Sequence, residues 1–306
     1  MSVLRIDFCD FGGGFNKADN FFINTLKQRH QVELSDRPDY LIFAHAGHQY
    51  RLHDCTKIFY SDENLTPDYR DYDYAMTCRL NDDPRHLRLP NYVVAFQPEE
   101  IMRKPGDAEA LLKAKSKFCA FIVSNPSAGK GRLRTEFFHR LGRYKHIDSA
   151  GRHLNNMDGR TVGGGYPGKI AFLRDYKFNL CFENESAPGY TTEKLYNAMQ
   201  AGCLPIYWGN PKIGDEFNPK AFLNYLDFPD QESFVRKIEE IDRNDDLYLS
   251  YLREPCFRDG KPNLYFSRER FLDFFDKILS TPIKPASRRR RYFFGRWILV
   301  KRNRPS

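Results

Sequence analysis

The sequence predicts an α/β protein with parallel sheets, on three observations. Short runs rich in β-branched and aromatic residues alternate with amphipathic helical stretches, the pattern of strands joined by crossover helices. The series occurs twice, on either side of a turn-rich, proline-containing stretch over residues 82–106. The chain has 306 residues, 41% of them hydrophobic, a length that suits about two domains and enough apolar content for real cores. Two such series predict two Rossmann-like domains facing a central cleft, with ligands at the carboxyl ends of the strands. The expected division is 1–116, 117–285 and a basic C-terminal tail, 286–306.

In the first series, residues 3–11 (VLRIDFCDF), 40–44 (YLIFA) and 58–61 (IFYS) read as strands, and 19–29 as the first crossover helix. A helix over 108–117 leads into the second series. Residues 118–124 (FCAFIVS) form an unbroken apolar run, the mark of a strand buried on both faces. Residues 134–144 read as a helix, 178–182 (FNLCF) as a strand, 191–201 as a helix and 204–208 (LPIYW) as a strand. Helices over 232–241 and 268–279 close the body.

The net charge of +8 invites a nucleic-acid reading until it is located. Residues 287–306 hold seven Arg and one Lys and no acid. Taking those eight from the 48 basic residues leaves 40 against 40 acidic, so the globular part is neutral. The basic balance therefore belongs to the tail. The N-terminus, MSVLRIDFCDFGGG, lacks a basic segment followed by an apolar one, so no signal peptide is expected. No apolar run approaches the roughly 20 residues of a membrane-spanning helix. The cysteines, Cys9, Cys55, Cys78, Cys119, Cys181, Cys203 and Cys256, show no CxxC pair. They read as reduced, buried thiols of a cytosolic protein.

Four features resemble chemistry without its remaining parts. Gly12, Gly13 and Gly14 follow a strand but lack the GxGxxG spacing, so they read as a tight turn. Asp10-Phe11-Gly12 has no accompanying kinase element. NPSAGKGR lacks the first glycine of a phosphate-binding loop and the Ser/Thr after Lys130. His45 and His48, in HAGH, read as loop histidines rather than zinc ligands.

The informative stretch is YKFNLCFENESAPGYTTEKLYNAMQAGCLPIYWGNP, residues 176–211. A buried strand ends in Glu183 and Asn184. Thr191 and Thr192 are good N-cap residues. The helix that follows carries Leu195, Ala198 and Met199 at core spacing, and Gly202 is placed to end it. Glu193 and Lys194 then fall in the first turn at a strand-end cleft, where free N–H groups suit a diphosphate. A capping glutamate beside a solvated lysine would look the same locally.

This stretch resembles the donor-binding signature of the α-1,3-fucosyltransferases, glycosyltransferase family 10. The matching parts are FEN at residues 182–184, Tyr190-Thr191-Thr192-Glu193-Lys194, Ala198, Gly202, Pro205 and Gly209. Upstream, FCAFIVSNPSAGKGRLRTEFFHRLGRYKHIDSAG is similar to the family's arginine-bearing segment. NFFINTLKQRHQVELSDRPDYLIFA and KIFYSDENLTPDYRDYDYAMT look like its bacterial members. The resemblance covers the whole body. Gly189 stands where many members carry an acidic residue.

The resemblance implies a GT-B fold and inverting transfer of L-fucose from GDP-fucose to a hydroxyl of an N-acetylglucosamine or glucose unit, in α-1,3 or α-1,4 linkage. The acceptor implied is N-acetyllactosamine- or lactose-like. Arg134 matches the arginine that pairs with the diphosphate, where a bidentate guanidinium is not replaced by lysine. Lys194 matches the second phosphate contact. Glu193, Asn184 and Tyr190 match residues lining the guanosine and fucose portions, with Glu193 also placed to stabilise positive charge on the fucose ring. Asn125 sits at a strand end facing the same cleft. Glu63, in SDEN, matches the general base that a single displacement requires. Asp62 is its neighbouring competitor. No Asp-x-Asp metal clamp stands out, although Asp71-Tyr72-Asp73 fits formally. No cofactor is therefore required, and Mn or Mg is at most an enhancer, because Arg134 and Lys194 can offset leaving-group charge.

Residues 287–306, SRRRRYFFGRWILVKRNRPS, interleave arginines with aromatics. As a helix the segment would be amphipathic, with Phe293, Trp297 and Val300 on one face. It suits the interface of an anionic bilayer, which places the protein on the inner face of the membrane as a peripheral cytoplasmic enzyme. Two other readings stay open: a GT-B transferase for another nucleotide sugar, and a basic-tailed RNA-binding module. The neutral body and the lack of an aromatic RNP-like strand oppose the latter, so no nucleic-acid partner is expected.

Overall fold

The computed structural model describes residues 3–102, 106–125, 131–280, 290–293 and 296–299. The chain divides into two compact units, Met1–Pro90 with Ser267–Ser306, and Asn91–Phe266. The chain thus leaves the first unit earlier than the 116/117 boundary expected above, and returns to it at residue 267.

Six strands build the first unit's sheet: β1 (Leu4–Cys9), β2 (Val32–Leu34), β3 (Tyr40–Phe43), β4 (Thr56–Ser61), β5 (Tyr74–Thr77) and β6 (His86–Arg88). They lie in the order β2-β1-β3-β4-β5-β6. Every pair is parallel. β2, β5 and β6 carry three or four residues each, too few to show a period in the sequence. β1 stops short of the expected residue 11 because Asp10 takes a left-handed φ of 61°. Its carboxylate accepts the backbone N–H groups of Gln49 and Tyr50, both at 2.9 Å. Helix α1 (Phe21–Leu26) is shorter than the 19–29 expected, and it opens where the Asn20 side chain accepts the N–H of Ile23 at 3.0 Å.

The second unit opens with α2 (Asn91–Ala95) and α3 (Asp107–Lys113). It continues through β7 (Lys117–Phe121), α4 (Arg132–Gly142), β8 (Ile147–Ser149), α5 (Gly165–Leu173), β9 (Tyr176–Phe182), α6 (Lys194–Gln200) and β10 (Leu204–Trp208). β11 (Leu223–Asn224), α7 (Gln231–Arg243) and α8 (Asp245–Arg253) complete it. The sheet order is β11-β10-β9-β7-β8, again all parallel. β7 starts the series and is flanked by β8 and β9, so the order reverses between β7 and β9. In open α/β sheets that reversal opens a crevice at the strands' carboxyl ends, the place where ligands bind. Phe137 of α4 stacks on Phe182 of β9 with ring centroids 4.9 Å apart, in a core shared with Phe121, Leu180, Ile206 and Phe234.

Helix α9 (Arg268–Ser280) belongs to the first unit rather than closing the second. Its Phe271 meets Phe21 edge-on at 5.3 Å, and Phe274 meets Tyr74 at 6.0 Å. Arg29 pairs with Asp273 at 2.9 Å and also with Glu269 and Asp276. The amphipathic pattern of α9 identifies a helix but not the sheet it covers, because periodicity carries no address.

The tail differs from its helical reading. β12 (Arg290–Phe293) and β13 (Arg296–Leu299) pair antiparallel, with Tyr292 opposite Trp297. A run of aromatic and branched residues favours extended backbone. The rest of the tail, including Val300, and the Gly129–Lys130 part of the phosphate-loop look-alike lie outside the described residues. All seven cysteines are free thiols, six buried and Cys9 half-buried. Among the described residues no helix is long and apolar enough to cross a membrane.

Candidate functional site

The carboxyl ends of β7 and β9 gather most of the residues singled out in the sequence. α4 packs Phe137, Phe138 and Leu141 inward. Arg134 lies one turn before them on the same face and is fully buried, at 0% exposure. Its Nη1 donates to Asn184 Oδ1 at 2.6 Å and its Nη2 to the carbonyl of Asn125. One guanidinium thus ties the segment after β7 to the segment after β9, and Asn125, Arg134 and Asn184 form one connected set.

A second set centres on Glu183, the glutamate of the FEN match, just after β9. Its carboxylate is fully buried and accepts from the backbone N–H of Thr192 at 2.8 Å, from Thr192 Oγ1 and from Lys194 Nζ at 2.8 Å. The ammonium of Lys194 also donates to Thr192 Oγ1 at 2.9 Å. Lys194 is therefore neither solvated nor held by a helix end. α6 begins at Lys194 itself, with Glu193 at the N-cap position in helical conformation and making no side-chain capping bond. Thr191 and Thr192 precede the cap because Thr192 is engaged by Glu183. The positive charge of the stretch comes from the Lys194 side chain, since α6 has only seven residues.

Glu193 is 16% exposed and accepts from Lys169 Nζ, 3.1 Å away on α5. Burial alone would raise its pKa, but the charges of Lys194 and Lys169 outweigh burial and hold the carboxyl down at about 2. For Lys194, burial opposes the charge, yet Glu183 and Glu193 win and keep the ammonium well above the ordinary lysine value. The charge of Arg134 works against Lys194. Two like charges in one region are relieved when an anion comes near both.

A buried polar network fixes the loop between β9 and α6. Asn210 accepts the N–H of Gly189 at 2.8 Å and donates to Thr191 Oγ1 and to Glu216 Oε1 at 2.6 Å. Glu216 also accepts from Tyr92 at 2.8 Å. Tyr190 lies inside this loop with no exposed surface. A Cβ on Gly209 would stand 2.5 Å from Glu183 Cγ and 2.6 Å from the Tyr207 hydroxyl, so only glycine lets β10's end approach the Glu183 hub. Gly202 has a φ of +69° and ends α6 as expected. Local pattern assigns no role to Glu183, although it lies in the FEN match, nor to Lys169, Asn210 and Glu216.

Glu63 belongs to the first unit, in the exposed loop after β4. Its backbone N–H donates to Ser61 Oγ at 3.1 Å. His45, from the loop after β3, places Nδ1 3.8 Å from Asp62 Oδ1, so Asp62 has a cationic neighbour when that imidazole is protonated. Asn64 accepts from Arg79 at 2.6 Å. In the formal Asp-x-Asp triplet, Asp73 is buried and accepts the N–H of Lys57 at 2.8 Å, while Asp71 faces Arg51 at 3.6 Å. The two carboxylates serve different neighbours.

Comparison with known proteins finds fucosyltransferases. Residues 6–95 match the family model for the α-(1,3)-fucosyltransferase FucT N-terminal domain, and residues 112–254 match that for the glycosyltransferase family 10 (fucosyltransferase) C-terminal part. The chain is 30% identical to the α-(1,3)-fucosyltransferase FucT of Helicobacter pylori, over 87% of this chain and 62% of that protein. It is 31% identical to the human 4-galactosyl-N-acetylglucosaminide 3-α-L-fucosyltransferase FUT6, over 49% of this chain and 40% of the other. The chain therefore spans less than two thirds of the length of these relatives. A crystal structure of α1,3-fucosyltransferase with GDP-fucose superposes with a TM-score of 0.74 at 27% identity, covering 92% of this chain and 91% of that one. One with GDP gives 0.75 over the same shares.

Proposed function

The chain belongs to glycosyltransferase family 10, the fucosyltransferases, and we propose that it transfers L-fucose from GDP-fucose to a glycan hydroxyl with inversion. The observation that carries the reading is the pair of fixed cations, Arg134 and Lys194, at the switch point between β7 and β9. Arg134 and Lys194 meet the diphosphate, whose charge grows as the bond to fucose breaks. Asn125, Asn184 and Tyr190 shape the nucleotide and sugar sides. Glu193, ionised at all ordinary pH, faces positive charge developing on the fucose ring.

In the proposed single displacement the bond from the fucose anomeric carbon to the phosphate oxygen breaks and a bond to the acceptor oxygen forms. GDP leaves with the electron pair. Glu63 takes the proton of the acceptor hydroxyl. The acceptor is an N-acetyllactosamine- or lactose-like sugar, modified at an N-acetylglucosamine or glucose unit in α-1,3 or α-1,4 linkage. The two cations supply the charge that a metal would, so Mn or Mg acts at most as an enhancer.

Residues 287–306 attach the protein to an anionic membrane surface, which places it as a peripheral enzyme on the cytoplasmic face. Support comes from their charge, eight basic residues and no acidic one, interleaved with aromatics.

An acceptor screen tests the enzyme reading. GDP-fucose, GDP-mannose and UDP-sugars are offered with lactose, N-acetyllactosamine and the type-1 disaccharide, followed by linkage analysis. Transfer from GDP-fucose alone, with a 3- or 4-linked product, is expected. Turnover of another nucleotide sugar in its place overturns the reading.

A further inference from the structure

We propose that Lys169 is a positioning residue of the donor site, whose ammonium fixes the orientation of the Glu193 carboxylate during transfer. The inference rests on the reading of Glu193 given above. Lys169 lies on α5, outside the stretch that carries the family signature, and Glu193 precedes the first residue of α6. Lys169 Nζ stands 3.1 Å from Glu193 Oε1 and 5.4 Å from the centroid of the Tyr166 ring one turn earlier, so the ammonium is held between a carboxylate and an aromatic face.

Lys194 does not fill this role. Its ammonium is committed to Glu183 Oε2 and Thr192 Oγ1, so it acts on Glu193 through its field, while Lys169 makes the hydrogen bond. The space around the pair argues the same way. Lys169, Glu193 and Lys194 line a cavity of about 20 Å³ together with Asn179 and Asn197. Asn179 is 5% exposed and Asn197 3%, and the Oδ1 atoms of both are without a hydrogen-bond partner among the described residues. Amide oxygens repel a carboxylate and accept from an ammonium. The Lys169 hydrogen bond anchors one oxygen of Glu193, which matters because stabilisation of a developing charge depends on dipoles and charges set before the reaction.

Four variants test this: Lys169→Met, Lys169→Arg, Glu193→Gln and the Lys169→Met/Glu193→Gln pair. Each is assayed for GDP affinity by calorimetry, for kcat and KM with GDP-fucose, and for its melting transition. Lys169→Met is expected to lower kcat roughly ten- to hundredfold, the range of a hydrogen bond to a charged group, with GDP affinity unchanged. Lys169→Arg should restore most of the turnover, because it keeps a cationic donor in reach. In the Glu193→Gln background, Lys169→Met should add little, the sign of two residues acting as one. Equal losses in both backgrounds, or a loss of GDP affinity in place of kcat, overturns the proposal and makes Lys169 a direct donor contact. Normal turnover in Glu193→Gln alone overturns the role of Glu193 itself, and the proposal with it. A lowered melting transition with unchanged kcat assigns Lys169 to stability and also overturns it.

Discussion

Lys194 Nζ lies 2.8 Å from Glu183 Oε2, and the side chain of Glu183 has no exposed surface. The lysine that faces the proposed diphosphate is therefore oriented from behind by a carboxylate of its own chain. Breaking such a pair from one side leaves an uncompensated buried charge, whereas removing both sides does not. In the proposed site binding and folding share this one residue, and the two contributions can be separated.

Lys194→Met is expected to destabilise the protein by about 3–5 kcal/mol, the cost of stranding a buried partner. Lys194→Met combined with Glu183→Gln should recover much of the melting temperature and none of the affinity for GDP. Thermal denaturation and calorimetry on the single and double variants check both halves. Recovery of GDP affinity in the double variant would show that Lys194 acts only through folding.

Arg134→Ala removes the link between Asn125 and Asn184 as well as a charge. The expected result is a raised KM for GDP-fucose and a lowered kcat, since the guanidinium meets charge that increases in the transition state. Arg134→Lys should rescue only part, because an ammonium cannot span two acceptors in a planar fork. Unchanged GDP binding in Arg134→Ala and in the Lys194 variants would put the donor elsewhere.

Glu63→Gln keeps size and loses basicity. It should leave GDP affinity intact and reduce transfer by about two to four orders of magnitude, the usual worth of a positioned base. Initial rates with a soluble acceptor, set beside calorimetry, measure it. Near-normal turnover would move the role to Asp62, whose neighbour is His45.

Glu193 titrates at about 2 in the folded chain against an ordinary 4.5. Between those values the unfolded chain binds the proton that the folded chain refuses, so stability falls as pH drops. The contribution is fully present above pH 4.5 and lost on approach to pH 2. Glu193→Gln should therefore show a shallower decline of the denaturation midpoint across that window. An unchanged slope would mean that Lys169 and Lys194 do not hold the carboxylate ionised.

Truncation after residue 285 removes the whole net charge of +8. Binding to anionic vesicles should vanish, and transfer to a soluble acceptor should persist. For the full chain, added salt should weaken vesicle binding through screening, and neutral vesicles should bind poorly. Co-sedimentation of both forms at low and high salt measures this. Equal sedimentation refutes the membrane reading, while lost activity on a soluble acceptor would mean that the tail supports the fold.

Long apolar strands and strongly periodic helices were readable in order. FCAFIVS, FNLCF and LPIYW mark β7, β9 and β10, and residues 232–241 and 268–279 mark α7 and α9, each within a few residues. Short polar strands such as β2 (VEL) and β6 (HLR) were not, because three residues cannot display a period and their extended form comes from sheet neighbours. α5 escaped for a related reason: its glycine-rich start, GYPG, reads as turn, and the helix packs against α6.

Local chemistry sets what lies within one stretch of chain: the residue types of the site, the turn at Gly202, and Glu193 and Lys194 beside a strand end. Anything that needs two distant segments was left to the tertiary structure. Sheet order β11-β10-β9-β7-β8 makes the crevice between β7 and β9, and so brings Arg134 to Asn184. Burial turned Glu183 from a strand-end residue into the anion that orients Lys194, and brought Lys169 within 3.1 Å of Glu193 across 24 positions. α9 joined the first unit because Phe271 and Phe274 find Phe21 and Tyr74 there. Periodicity and motif are properties of neighbours along the chain, whereas charge pairing and packing depend on which neighbours folding supplies.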